Sequence, residues 1–228
     1  MVSKQVARIV VASIYRLLVL GVFMTFTIVG YCYLYPDEPF RIQNLLVLFK
    51  YITFITLTLV QVYFSVATIL QACKSVTVHS YFFTLAFTYS WTIALIYLIV
   101  YLVDPTVATE NPELKAMPLW FNHATHFFGP VAVLVDAFVW RPKSVKLLIS
   151  FIVCYILMAG YNIYMEVSIS AFHFSPYPKL DKIPTGYRFL VYAISWALVT
   201  VFTLCNYCLL RLINRRGGDA EQPIKDEK

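Results

Sequence analysis

Two polar sites interrupt an otherwise apolar chain. One is Thr53, in Lys50-Tyr51-Ile52-Thr53-Phe54; the other is the pair His123 and His126, in Trp120-Phe121-Asn122-His123-Ala124-Thr125-His126. A hydroxyl held against an imidazole is the minimal equipment for ester hydrolysis, because the imidazole can take the proton whose removal makes the hydroxyl nucleophilic. Ionisable groups within hydrocarbon are costly and mark functional sites by default. The bland alternatives are a histidine that hydrogen-bonds a neighbouring helix and a threonine that bonds back to its own helix carbonyl. Asn122, His123 and His126 lie three and four residues apart, so on a helix they share one face. Asn122, His123 and Lys50, one turn before Thr53, are the candidates for stabilising a developing charge. Lys50 has two other outlets, the headgroup region and a lipid carboxylate. A metal site would need a third ligand such as His173, and four histidines cannot supply the clustered ligands of a di-iron lipid oxidase. Hydroxyl and imidazole chemistry needs no cofactor.

The elements that must carry these residues follow from composition. The 228 residues are 60% apolar and only 13% charged, against roughly 25% charged in soluble proteins. Uncharged stretches of the length that crosses a bilayer, about 20 residues, run from Leu17 to Tyr35, Tyr51 to Cys73, Tyr81 to Val103, Ala116 to Val135, Leu147 to Met165 and Phe189 to Leu210. The expected fold is therefore all-α: a polytopic membrane protein of six transmembrane helices. Residues 1–213 form one membrane domain and 214–228 a short charged cytoplasmic tail. Lys4, Arg8, Lys74, Arg141, Lys143, Lys146, Arg211, Arg215 and Arg216 all flank one side of such a bundle, which places both termini in the cytosol. The net charge of +6 reflects that bias, and no nucleic-acid partner is implied.

Depth then brings the two sites together. The second and fourth spans enter the membrane from the same face. Counted from Asn44 and Lys115, Thr53 and His126 lie roughly 13 and 16 Å down. Pro130, four residues after His126, cannot donate to the His126 carbonyl, so the fourth helix should bend just below the histidine. Asp136, about 15 Å further along, is expected to pair with Arg16 or Arg141, although Arg16 is itself expected to extend to the cytoplasmic headgroups. Asn162 and Glu166 approach the outer face on the fifth span. The five cysteines show no metal or disulfide spacing; Cys73 beside Lys74 is either a palmitoylation site or an inert thiol.

GxSxG, GxGxxG and P-loop patterns are absent, which excludes the common soluble hydrolase and nucleotide-binding folds. Three other functions remain compatible with this pattern: a membrane acyltransferase using the same histidine, a small-solute transporter and a regulatory scaffold. A transporter is disfavoured by the lack of internal repeat symmetry.

The segments around Thr53 and His126 resemble the signature segments of the androgen-induced gene protein and androgen-dependent TFPI-regulating protein family. The likeness continues through Gln61-Val62-Tyr63-Phe64, Cys154-Tyr155-Ile156-Leu157 and Tyr177-Pro178. It implies an atypical threonine hydrolase that cleaves fatty acid esters of hydroxy fatty acids (FAHFAs). Thr53 falls at the nucleophile and His126 at the essential histidine. Family members tend to carry Asp or Asn where this chain has Thr56, and some carry Thr where it has Phe127. The implied partners are a lipid substrate and the bilayer, and the implied location is the endoplasmic reticulum, the plasma membrane or both.

Overall fold

The computed structural model describes residues 4–35, 37–73, 76–105, 117–172, 177 and 182–218. Among them all regular structure is helical. α1 is Lys4–Leu34; α2, Ile42–Val47, leads into a 3₁₀ turn, Leu48–Lys50; α3 is Ile52–Ala72, α4 Val76–Val103, α5 Leu119–Trp140, α6 Leu147–Phe172 and α7 Thr185–Gly218. Long runs of Leu, Ile, Val and Phe fold this way in hydrocarbon because a helix satisfies every backbone N–H and C=O within the segment. Five helices contain stretches long and apolar enough to cross a membrane: Val6–Leu34, Ile52–Leu70, Thr77–Val103, Leu147–Phe172 and Thr185–Arg215. The chain is an all-helical, multi-pass membrane protein.

α5 stands outside that set of five. Its 22 residues would reach about 33 Å, a spanning length, but Asn122, His123, Thr125, His126, Pro130 and Asp136 lower its hydropathy. Its neighbours accommodate those groups: α5 packs against α1, α3 and α4. The helix runs unbroken through Pro130. Its last carbonyls, which have no intrahelical donors, are taken by Arg8, whose Nε donates to Val139 O and whose Nη2 donates to Trp140 O, both at 3.0 Å.

Arg16 does not extend to the headgroups. It is 1% exposed, and its Nε and Nη2 donate to Asp136 Oδ1 and Oδ2 at 2.9 and 3.0 Å, which ties α1 to α5. Asp136 thus takes the first of its two expected partners. Tyr63 of α3 donates to Asp136 as well, and His79 Nε2 of α4 accepts from Arg16 at 3.3 Å. A forked guanidinium facing a carboxylate compensates the loss of water better than a long side chain strained toward an interface. Further along, Gln61 Nε2 donates to Phe23 O at 3.1 Å and Thr27 Oγ1 at 2.6 Å, joining α3 to α1. Asn206 of α7 donates to Thr84 of α4 at 2.9 Å. Such bonds replace the hydrophobic drive that helices lack once they are in lipid.

Replacing Asp136 by Ala strands the Arg16 charge and should lower stability by about 3–5 kcal/mol, whereas Arg16→Met combined with Asp136→Leu should recover most of that loss. Thermal melting of the detergent-purified variants beside the wild type checks the order.

Candidate active site

Thr53 owes its position to a break in the chain. The 3₁₀ turn ends at Tyr51, whose backbone is extended (φ −91°, ψ 129°), and α3 starts afresh at Ile52. Thr53 therefore sits in the first turn of a helix, where N–H groups have no i−4 partners and the helix dipole is positive. Tyrosines hold the break on both sides. Tyr161 of α6 donates to Lys50 O at 3.1 Å, while Ile52 N donates to the hydroxyls of Tyr161 and Tyr177, each at 3.2 Å. Desolvation pushes the Tyr177 phenol up.

His126 meets Thr53 as the depth argument anticipated: Thr53 Oγ1 lies 3.2 Å from His126 Nε2. The other ring nitrogen fixes the direction of this bond. His126 Nδ1 is 2.7 Å from the main-chain oxygen of Asn122, and a carbonyl can only accept, so Nδ1 carries the proton. In the neutral ring Nε2 is then a bare lone pair, and the Thr53 hydroxyl donates to it. This is the protonation state a general base requires. Tyr97 of α4 lies flat against the imidazole, with ring centroids 3.8 Å apart and planes at 17°. Its hydroxyl is hydrogen-bonded to His123 Nδ1 at 2.9 Å.

The pair lies in the wall of a cavity of about 460 Å³, within the range of small-molecule sites, roughly 300–1,000 Å³. Its lining is overwhelmingly apolar and comes from α1, α3, α4, α5, α6 and α7. Asn122 and Asn162 add amides to it. His123 does not reach Thr53 and is engaged by Tyr97 instead. Lys50 lines neither this cavity nor the smaller one beside it. It does not extend outward either: it is 9% exposed, with Nζ 5.1 Å from the centre of the Tyr51 ring. Glu166 pairs with Arg188 at 3.0 Å and accepts from Tyr192 at 2.8 Å, away from the reacting pair. His173 lies outside the described residues. Tyr97, Tyr161 and Tyr177 were not anticipated as site residues; the available signal was the Tyr97 and Tyr101 pair one turn apart in an apolar helix.

A half-buried hydroxyl and imidazole facing an apolar cavity in a helical bundle define a multi-pass membrane protein with a candidate nucleophile and base. Residues 14–211 match the FAR-17a/AIG1-like protein family, and the chain belongs to it. No curated protein and no solved structure matches the chain.

If His126 activates Thr53, His126→Ala should slow nitrophenolate release from a long-chain p-nitrophenyl ester by about 10²- to 10⁴-fold. Losing the stacked ring in Tyr97→Leu should cost about 0.5–1.5 kcal/mol, up to about tenfold in rate. Tyr97→Phe keeps the stack and should lose less. Initial rates at matched protein concentration separate the three.

Proposed function

We propose that this protein is an intramembrane hydrolase of fatty acid esters of hydroxy fatty acids. The observation that carries the reading is the 3.2 Å contact between Thr53 Oγ1 and the bare Nε2 of His126 at the wall of the large apolar cavity. Family membership is consistent with it. In the proposed reaction Thr53 Oγ attacks the ester carbonyl as His126 Nε2 takes its proton. The C–O bond to the hydroxy fatty acid breaks, and His126 returns the proton to that leaving alkoxide. The product at this stage is an acyl-Thr53 ester. Water then adds to its carbonyl, gives a proton to His126, and expels Thr53 Oγ, which recovers the proton; the free fatty acid departs.

The first turn of α3 supports this assignment, since the oxyanion would form at the positive end of a helix. Two acyl chains suit a cavity with so little polar lining, and the Asn122 and Asn162 amides offer hydrogen bonds to the ester oxygens. Tyr97 presents the face of its ring to His126, where the imidazolium formed in each step gains a cation–π contact. In the same reading α5 is a sixth span, both termini face the cytosol, and the protein resides in the endoplasmic reticulum, the plasma membrane or both. An acyltransferase would form the same acyl-Thr53 and pass it to an alcohol instead of water.

Detergent-purified protein should hydrolyse palmitoyl-9-hydroxystearate, and Thr53→Ala and His126→Ala should each abolish turnover while eluting as folded monodisperse protein. Absence of wild-type turnover across a panel of branched esters would reject the reading. Preferential appearance of a transesterified product when a long-chain alcohol is added would redirect it to acyl transfer.

A further inference from the structure

The reacting pair lies in the walls of two adjoining cavities. One is the large apolar one; the other is a chamber of about 10 Å³, and Thr53, Leu57, Ile93, Thr125 and His126 belong to the walls of both. The chamber has the volume of one water molecule, which needs about 10–15 Å³. Its remaining walls include Thr56, Ser90, Gly129 and Pro130.

Thr56 is the informative residue. It is 6% exposed, and its Oγ1 is buried with no hydrogen-bond partner among the described residues. Threonines and serines elsewhere in these helices donate to the carbonyl four residues back, as Thr25, Thr27, Ser65 and Thr84 do. Thr56 does not bond to Ile52 in that way. A hydroxyl left unpaired within a bilayer protein is costly, and the chamber beside it supplies the place for a partner. Ser90 and Thr125 complete the set. Ser90 donates to Phe87 O at 3.2 Å and Thr125 to Asn122 O at 2.9 Å, so each spends its proton on the backbone and keeps lone pairs for accepting. One water can accept from Thr56 and donate one proton to Ser90 or Thr125, which leaves its second proton for His126 Nε2 once Thr53 is acylated, the three bonds typical of a buried water.

We propose that this chamber binds the water that hydrolyses acyl-Thr53, with Thr56 as the residue that positions it. The proposal rests on the hydrolase reading. The overwhelmingly apolar lining of the large cavity offers water few partners, whereas the chamber offers three hydroxyls. A water held in the chamber has both reacting residues in the walls around it: it forms the new O–C bond to the acyl carbon, passes its proton to His126 Nε2, and the bond from that carbon to Thr53 Oγ breaks. The proton then returns to Thr53. Acylation uses no water and does not involve the chamber.

The test separates these two steps. Thr56→Val keeps shape and removes the hydroxyl. Gly129→Ala adds a methyl whose nearest atoms are Ser90 Cβ at 3.6 Å and Phe23 Cζ at 3.9 Å, so it fits the helix and takes up chamber space. With a long-chain p-nitrophenyl ester, both variants should retain the wild-type burst of nitrophenolate. Their steady-state rate should fall about tenfold to 10²-fold, and intact-mass spectrometry should find acyl-Thr53 accumulating. Thr56→Ser should return the rate toward wild type. Wild-type steady-state rates in both variants, or a burst slowed as much as the steady state, would overturn the proposal. An experimental map in nanodiscs gives an independent reading: an ordered water within hydrogen-bonding distance of Thr56 Oγ1 is expected, and its absence from a map that resolves other buried waters would overturn the water site even if hydrolysis stands. Failure of Thr53 to acquire any acyl group in the wild type would instead reject the hydrolase reading itself, and with it the role given to the water.

Discussion

In a bilayer a buried polar group has no solvent to fall back on, and the architecture follows from how this chain meets that constraint. The Arg16 and Asp136 pair is its strongest expression. Both side chains are wholly buried, and each is tolerable only because the other is there. Four helices contribute to the cluster through Arg16, Tyr63, His79 and Asp136, so their relative rotation and depth are fixed together. α5 gains most. It carries Asn122, His123, His126 and Asp136 within one helix, and its place among α1, α3 and α4 is secured by this cluster below and by the imidazole contacts above.

The same constraint prepares the proposed catalytic pair. His126 cannot leave a ring nitrogen unsatisfied, and the nearest acceptor is the carbonyl of Asn122, four residues before it on the same helix. That local bond settles the tautomer without help from a third side chain. A soluble hydrolase uses a carboxylate for this purpose; here a carboxylate would add a buried charge, and the backbone supplies the orientation at no such cost. Tyr97 then fixes the ring plane through a flat stack. Orientation and protonation state come from two neutral groups.

Much of this was legible in the chain. Thr53 and His126 stand out because polar residues in apolar stretches are rare, and counting residues from the same membrane face puts them at one depth. The polar face of α5 follows from the spacing of Asn122, His123 and His126. Arg16 was harder, because a long cation near a helix end satisfies the headgroup reading and the ion-pair reading equally until the partner helix is placed. The headgroup outlet offered for Lys50 fails too, since the residue is 9% exposed; the chain around it meets Tyr161, more than a hundred residues later. Tyr97, Tyr161 and Tyr177 are ordinary residues in an aromatic-rich sequence, and only packing gives them a role: Tyr97 lies on His126, while Tyr161 and Tyr177 meet the break at Tyr51. The polar groups of α5, which lower its hydropathy, are matched by neighbouring helices, and those matches are invisible to a count of apolar residues.

The break at Tyr51 has a mechanical side. Because Tyr161 bonds to Lys50 on one side of it and Ile52 on the other, α6 grips the start of α3 without being covalently close to it. His126 is carried on a different helix. Thr53 and His126 thus have separate anchors: Tyr161 holds the helix start that carries the hydroxyl, and Tyr97 holds the plane of the imidazole.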